Sequence, residues 1–273
     1  MLIFDEKKYA KNLLKKKEFQ TYRQKDIERY ILIRYLASEG MSTEEIRKEL
    51  DKFPLIGCEY LDKKDVDIIY EKIIDRALSY PLVTGINTMI FKNEIDVINS
   101  IEDENARNLL FILLVYYKWA TTQQQLFFFS KHNNVKMVIT NDMDVWKYAG
   151  IMKLRVADRY RLCNQLILKG LYVEDNFKSN NYFYLPFASD AYGSGEVAIC
   201  INNYDNILGE LYYYNDPEHY KRCSECGTVI KKTRSPKKYC DNCAKEVKNK
   251  QNIKYYKESS NLGKTQSLTS PVK

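Results

Sequence analysis

The segment from Cys223 to Cys243 reads CSECGTVIKKTRSPKKYCDNC and contains two Cys-x-x-Cys pairs with thirteen residues between them. Each pair can form a tight turn that directs two thiolates to one point, and two such turns complete the tetrahedral shell that Zn²⁺ prefers. Gly227 directly follows the first pair, where such a turn often needs a residue free to adopt positive φ. We therefore predict one structural Zn²⁺ whose ligands are Cys223, Cys226, Cys240 and Cys243. The alternatives are two disulfides or four unused thiols.

The neighbours of these cysteines refine the expected site. Residues 228–239 predict a short hairpin with its turn near 234–236. His219 is a candidate substitute ligand, but with four thiolates available we expect it to be a neighbour. A catalytic zinc site keeps an open position and usually includes histidine or carboxylate ligands, so four cysteines indicate a structural role. The three other cysteines lie singly among apolar residues and are interpreted as small buried hydrophobes: Cys58, Cys163 and Cys200.

Positive charge is concentrated around the cysteine pairs. Residues 221–257 contain twelve Lys/Arg and three acidic residues, which gives +9, whereas the whole chain carries +7. Residues 258–273 add +1, so residues 1–220 carry −3. A basic segment on a mildly acidic body predicts a polyanionic partner, and nucleic acid is the usual one. The alternative is a solvated, lysine-rich tail that reflects codon bias.

Length and composition favour a globular, cytoplasmic protein. With 273 residues, 45% of them apolar, the chain can form one large or two ordinary domains plus a small module. The N-terminus becomes charged too quickly for a secretory signal. The longest apolar run, Leu109–Tyr117, has nine residues, whereas roughly 20 are needed to cross a bilayer. We therefore expect no membrane partner.

Residues 1–88 predict a helical N-terminal unit. Apolar residues recur at helical spacing in 26–38, Ser42 and Glu45 form a capping box that opens a helix to about Leu50, and another helix is expected from about 62 to 78. The outline is that of a helix-turn-helix. The second helix, however, has three glutamates and two basic residues, so it would repel phosphates. We expect a structural or protein-contacting role for this unit.

Residues 89–215 predict a helical core with a winged-helix-like subdomain at about 137–190. A helix from about 103 to 119 is apolar nearly all round and should lie at the centre of the core. Within the subdomain we expect a short helix, a turn at Gly150, a longer helix at 155–169 that is capped by Gly170, and a β-hairpin with a small antiparallel sheet. Any α+β domain can contain this order of elements, and winged helices also dock proteins, so both alternatives stay open.

The helix at 155–169 is the candidate reading helix. Its apolar residues Val156, Tyr160, Cys163 and Ile167 are expected to form a buried stripe. Arginine, asparagine and glutamine can pair with base edges in a major groove. We therefore predict nucleic-acid contacts from the polar residues of this helix: Arg155, Arg159, Arg161, Asn164 and Gln165.

Residues 216–258 predict a zinc ribbon followed by a basic helix, and residues 259–273 are expected to be disordered. The basic helix, at about 244–257, has no clear apolar stripe, so it is either solvated or lies against a charged partner. Lysine and arginine neutralise phosphates without reading sequence. The candidate phosphate contacts are Lys231, Lys232, Arg234, Lys237, Lys238, Lys245, Lys248, Lys250 and Lys254.

Features typical of enzymes are not found in the sequence. There are two histidines and ten glycines, with no phosphate-cradling glycine loop, no nucleophilic serine elbow and no cysteine–histidine nucleophile. We expect a non-enzymatic protein of mainly α (α+β) class, with Zn²⁺ as its cofactor.

The segments YKRCSECG (220–227) and KKYCDNCAKE (237–246) are similar to the C-terminal zinc ribbon of proteins encoded by phages and other mobile elements of Gram-positive bacteria. The apolar run 108–115 and the helix end 166–171 resemble the helical core and winged-helix-like middle of that family. The resemblance covers roughly residues 90–257 and is specific at the cysteines. It implies a phage or prophage origin, a bacterial host cell and DNA binding through the ribbon.

Two functions therefore follow from the sequence. The first is a non-enzymatic DNA-binding zinc protein of a phage or mobile element that regulates transcription or assists replication, with RNA as an alternative ligand. The second is a phage-encoded interaction factor that binds and modulates a host protein. The two differ in their expected response to salt, because phosphate binding through lysines weakens steeply as salt increases.

Overall fold

The structure, a computed structural model, describes residues 3–19, 25–53, 63–85, 87–127, 137–138, 142–177, 180–189, 195–233 and 237–266. The described chain is mainly helical with small antiparallel sheets, as predicted. It forms two compact units, Met1–Tyr204 and Asp205–Lys273, here called the body and the C-terminal unit. The sequence placed boundaries at 88 and 215 instead. The second boundary lies earlier because the helix before the cysteines packs with the strands beside them.

The described elements of the body are helices α1 (Glu6–Lys16), α2 (Lys25–Ser38), α3 (Thr43–Leu50), α4 (Lys63–Leu78), α5 (Lys92–Asn99), α6 (Glu104–Phe127), α7 (Asp142–Tyr148) and α8 (Val156–Leu168). Its strands are β1 (Thr88–Phe91), β2 (Met137–Val138), β3 (Val173–Phe177), β4 (Asn180–Tyr184) and β5 (Val197–Ile201). The C-terminal unit contains α9 (Ile207–Asn215), β6 (Tyr220–Arg222), β7 (Val229–Lys231) and α10 (Asp241–Gln266).

Helices α1 to α4 share one apolar core, to which α1 contributes Ala10 and Leu13. The capping box at the start of α3 is confirmed, since the Glu45 N–H donates to the Ser42 hydroxyl and the Ser42 N–H donates to the Glu45 carboxylate. Helix α1 was not predicted. Its lysine-rich sequence buries only one narrow stripe, and the Asp5 side chain caps it by accepting from the Lys8 N–H.

Helix α6 is the central core helix, as predicted, because every side chain from Leu109 to Val115 is buried. One buried ion pair lies beside this core. The Lys118 ammonium donates to both carboxylate oxygens of Glu94, at 2.8 and 2.9 Å, and both side chains are almost fully buried. The same carboxylate accepts the backbone N–H groups of Phe91 and Ser189. Glu94 therefore ties α5, α6 and the segment before β5 together.

The predicted order of a short helix, a longer helix and an antiparallel hairpin is present as α7, α8, β3 and β4. Gly150 and Gly170 have φ of 73° and 68° and end the two helices. Strands β3 and β4 pair from Val173↔Tyr184 onward, and β2 extends the sheet in the order β2-β4-β3.

The buried face of α8 differs from the prediction. Arg159, Leu162 and Leu166 are buried, whereas Val156, Tyr160 and Ile167 are exposed and Cys163 is half-buried. Both sets have helical spacing, and α8 packs against α6 through the face with two leucines. The Arg159 guanidinium is accommodated in the interior because it stacks on the Trp146 ring, 4.2 Å from the ring centroid.

Strands β1 and β5 form a separate two-stranded antiparallel sheet with one face in solvent. Cys200 lies on that face opposite Met89 and is exposed, so its predicted burial was wrong. Cys58 lies outside the described residues.

Helix α10 continues to Gln266, although a disordered tail was predicted from residue 259. A helix that has already been nucleated extends at little cost, which explains the continuation. Among the described helices, none combines the length and the apolar character needed to cross a membrane.

Candidate metal centre and basic surface

The hairpin formed by the described strands of the C-terminal unit lies around the first cysteine pair. Strands β6 and β7 pair from Tyr220↔Lys231 to Arg222↔Val229, so the turn that joins them contains Cys223 and Cys226. Gly227 closes this turn with φ of 72°, and the Cys223 N–H donates to the Thr228 carbonyl. The predicted turn at 234–236 lies outside the described residues. The turn at residues 223–227 is here called the knuckle. It reverses the chain by itself, which is why strands β6 and β7 flank it.

The four cysteines of the two pairs come together as predicted. Their sulfurs all lie within 4.8 Å of one another, and the Sγ atoms of Cys226 and Cys240 are 3.7 Å apart. Tetrahedral coordination with Zn–S bonds of about 2.3 Å requires neighbouring sulfurs to lie about 3.8 Å apart. A disulfide would require about 2.05 Å, and none joins the four cysteines in this structure. The geometry fits one metal ion.

The thiols differ in how readily they ionise. Burial opposes ionisation of Cys223, but backbone N–H groups of Cys226, Cys240 and Glu225 stabilise its thiolate and lower its pKa to about 6. Hydrogen bonds with the sulfurs of Cys226 and Cys240, followed by burial, raise the pKa of Cys243. Four negative charges at one point repel each other, and a divalent cation offsets that repulsion because it deprotonates coordinating thiols. The donor set therefore suits a cation that prefers sulfur.

The second cysteine pair belongs to the start of α10. Cys240 directly precedes the helix, and its carbonyl accepts the Ala244 N–H at 2.9 Å. The Cys240 N–H donates to the Cys223 sulfur at 3.3 Å, so one backbone group joins the two pairs. The positive end of the helix dipole favours thiolates here. The metal site consequently fixes the point from which α10 begins.

A buried carboxylate supports the first cysteine pair from behind. The Arg222 guanidinium donates to both Glu210 oxygens, at 2.9 and 2.7 Å, and also to the Gly227 carbonyl at 3.2 Å. Glu210 is on α9 and is 3% exposed, whereas the Arg222 side chain is 45% exposed. In addition, the Asn206 side chain caps α9 and donates to the Val229 carbonyl. Helix α9 thereby positions the strands on both sides of the knuckle.

Sequence reasoning missed Glu210 and Arg222, although one signal was present. Glu210 is the single acidic residue in the otherwise apolar and aromatic segment of α9. A lone acid in such a segment indicates a buried partner. His219, in contrast, forms an exposed contact with Asp216 at 2.8 Å. Within the part of the chain that the structure describes, the metal-binding group contains only cysteines.

Most of the predicted phosphate contacts lie at the surface of the C-terminal unit. Lys237 forms an ion pair with Asp241, the Lys232 ammonium donates to the Pro217 carbonyl, and the Lys238 ammonium lies over the Tyr239 ring. Arg234 lies outside the described residues. The contacts that are exposed are Lys231, Lys232, Lys238, Lys245, Lys248, Lys250 and Lys254.

The predicted base contacts on α8 are less accessible to a nucleic acid than the lysines of the C-terminal unit. Arg159 is buried and is not available to a ligand, which corrects the prediction. Arg155 and Arg161 both lie near Asp158, and a hydrogen bond from Arg155 lowers the pKa of that carboxyl. Asn164 and Gln165 are exposed, but Gln165 lines a cavity that is also lined by Glu102 and Asp103. Acidic groups thus accompany most of the polar surface of α8.

Comparison with protein-family models, with curated proteins and with solved structures found no match to this chain.

Proposed function

We propose that this protein is a non-enzymatic nucleic-acid-binding protein whose C-terminal unit binds one structural Zn²⁺. The observation that supports this most directly is the group of four thiols at the base of a long, lysine-rich helix. Four sulfur ligands complete a closed tetrahedral shell, which is typical of structural zinc and leaves no open position for a substrate. The ion would hold the ribbon-like hairpin and the start of α10 in one fixed arrangement.

Electrostatics support a polyanion as the ligand of this unit. Residues 221–257 carry +9, and six lysines of α10 and its approach are exposed to solvent: Lys231, Lys238, Lys245, Lys248, Lys250 and Lys254. The body, residues 1–204, carries only +1, whereas the C-terminal unit, residues 205–273, carries +6, so the body would contribute little to the attraction. The affinity is therefore assigned to the C-terminal unit.

The arrangement of α7, α8, β3 and β4 supports a winged-helix-like subdomain in the body, with Arg161, Asn164 and Gln165 as its candidate base contacts. The resemblance of the cysteine segment to phage ribbons supports an origin in a phage or mobile element and a role in transcription or replication. DNA is the ligand that this origin favours.

A second candidate function has its own supporting observation. Helix α8 exposes Tyr160, Ile167 and Leu168, and Leu168 is 87% exposed. Apolar side chains on one helix face are typical of protein contacts. The body would then dock on a host protein, as the interaction-factor hypothesis requires.

The experiment is a binding titration of full-length, zinc-loaded protein against labelled DNA at several salt concentrations. Neutralising Lys245, Lys248 and Lys250 to Gln should weaken binding to all sequences alike and lower the slope of log affinity against log salt by up to about three units. A matched triple variant in the body removes the same charge from exposed lysines outside the candidate contacts and should leave the slope unchanged: Lys11→Gln, Lys15→Gln and Lys72→Gln. Absence of DNA and RNA affinity at about 50 mM salt would refute the proposal and favour the interaction factor.

A further inference from the structure

Helix α10 has one face whose chemistry differs from the rest of the helix. At 3.6 residues per turn, six exposed side chains fall within about a third of its circumference. From the metal site outward they are Lys245, Lys248, Asn249, Asn252, Tyr255 and Tyr256, here called the Lys–Asn–Tyr face. Asp241, the first residue of α10, falls on the same side and forms an ion pair with Lys237, whereas Glu246 lies off this face. Lysines therefore occupy the end near the cysteines, amides the middle, and aromatic rings the far end.

The two tyrosines are unusually accessible. Tyr255 and Tyr256 are 68% and 71% exposed, whereas the next most exposed tyrosine among the described residues, Tyr160, is 48% exposed. The chain contains 23 tyrosines, so composition explains their number, but not why two consecutive rings lie in water. Their ring centroids are 5.9 Å apart at an interplanar angle of 73°, so the two rings present faces in different directions.

From this face we infer the class of nucleic acid, an inference that rests on the proposed nucleic-acid binding: the Lys–Asn–Tyr face binds single strands. Exposed aromatic rings offer stacking platforms to unpaired bases, and nearby lysines hold the phosphates. The amides of Asn249 and Asn252 can both donate and accept hydrogen bonds at base edges. In a duplex the bases are already stacked on one another, so only the lysines would contribute.

The length of the face sets the size of the site. From Lys245 to Tyr256 the helix rises about 17 Å, which matches about five nucleotides at roughly 3.4 Å each. Stacking on a ring tolerates any base, so the expected preference is for unpaired strands and not for a particular sequence. Both single-stranded DNA and single-stranded RNA present this chemistry.

The test is fluorescence anisotropy with full-length, zinc-loaded protein and labelled oligonucleotides of about 12 nucleotides, roughly twice the length that the face covers. The probes are single-stranded DNA, single-stranded RNA and the duplex of the same sequence. Each stacked base contributes about five- to 150-fold in affinity, so Tyr255→Ala/Tyr256→Ala should weaken single-strand binding at least about tenfold. Duplex binding should change less than about twofold, because it depends on lysines.

Two further variants make the result specific to the rings. Tyr255→Phe/Tyr256→Phe keeps both aromatic faces and should bind single strands within about twofold of wild type. Tyr80→Ala removes an exposed tyrosine of the body and should have no effect. Alanine has the highest helix propensity, so the double alanine variant should keep its helix content, as circular dichroism will show.

The outcomes separate this inference from the proposal on which it rests. A smaller loss for the alanine variant, an equal loss on duplex, or a phenylalanine variant as weak as the alanine variant overturns the inference while nucleic-acid binding itself stands. If the wild-type protein binds none of the three probes at about 50 mM salt, the proposed function fails as well. A Tyr-dependent preference for either DNA or RNA supports the inference and identifies the natural strand.

Discussion

Changing Glu210 to Gln should weaken zinc binding even though Glu210 is not a ligand. Its carboxylate is 3% exposed and accepts two hydrogen bonds from Arg222, which in turn donates to the Gly227 carbonyl of the knuckle. The substitution keeps the size of the side chain but removes the charge and one acceptor. The two hydrogen bonds of an arginine–carboxylate pair fix the orientation of the guanidinium as well as attracting it. Without them, Arg222 would be less well placed to donate to the Gly227 carbonyl.

The magnitude follows from the exposure of the two partners. Hydrogen bonds to charged groups contribute about 1.5–3 kcal/mol, and the half-exposed Arg222 places this pair below the 3–5 kcal/mol typical of fully buried pairs. The described C-terminal unit buries only three aliphatic side chains, Ile207, Leu211 and Val229, too few to fold without a staple. The free energy of zinc binding therefore includes the free energy of folding this unit. Losing the Glu210–Arg222 interaction should weaken the zinc affinity approximately 10- to 100-fold.

The assay is zinc competition with a chromophoric chelator, with the full chain at neutral pH. The matched control is Glu218→Gln, the same change at an exposed position of the same unit, which should stay within about twofold of wild type. Arg222→Lys keeps the positive charge but loses the fork and should lie between the two. Equal affinity of wild type and Glu210→Gln would show that the unit folds without help from this pair, and the reasoning would be wrong.

Two other perturbations have well-defined outcomes. Cys240→Ser should abolish binding of one equivalent of zinc and make residues 205–273 sensitive to protease, because folding of so small a unit depends on its metal. Limited proteolysis followed by mass spectrometry should then recover a stable 1–204 fragment. A protease-resistant C-terminal unit without metal would contradict this prediction. Lys118→Met should lower the free energy of unfolding by about 3–5 kcal/mol in urea titration, because Glu94 would remain buried without its cation. Lys92→Met, at an exposed ion pair, is the control and should cost less than about 1 kcal/mol.

Local patterns in the sequence predicted the parts of the structure that depend on local interactions. The cysteine spacing identified all four members of the thiol group, since each pair is closed by a few backbone bonds. The capping box fixed the start of α3, and an unbroken apolar run identified α6 as the core helix. Each of these signals is complete within about one or two helical turns.

Contacts between distant residues could not be predicted in the same way. Periodicity permitted two faces of α8, and the choice depended on packing against α6 and on the stacking of Arg159 on Trp146. The support of the knuckle by Glu210 depends on a partner twelve residues away across a turn. The domain boundary was displaced for the same reason, because α9 looked like the end of the body until its partners in β6 and β7 were known.

The distribution of charge and apolar surface favours separate binding roles for the two units. In the body, Arg155 and Arg161 lie near Asp158, and the most exposed large apolar residue of the described chain is Leu168 at the end of α8. Because its arginines are close to an acid and its leucine is exposed, α8 should bind an apolar protein surface more favourably than phosphates. Helix α10 contains six lysines and three acids, and the rings of Tyr255 and Tyr256 are available for stacking with bases. Nucleic-acid binding by α10 can therefore coexist with protein docking by α8, whereas base contacts from α8 would compete with docking because both use its exposed face.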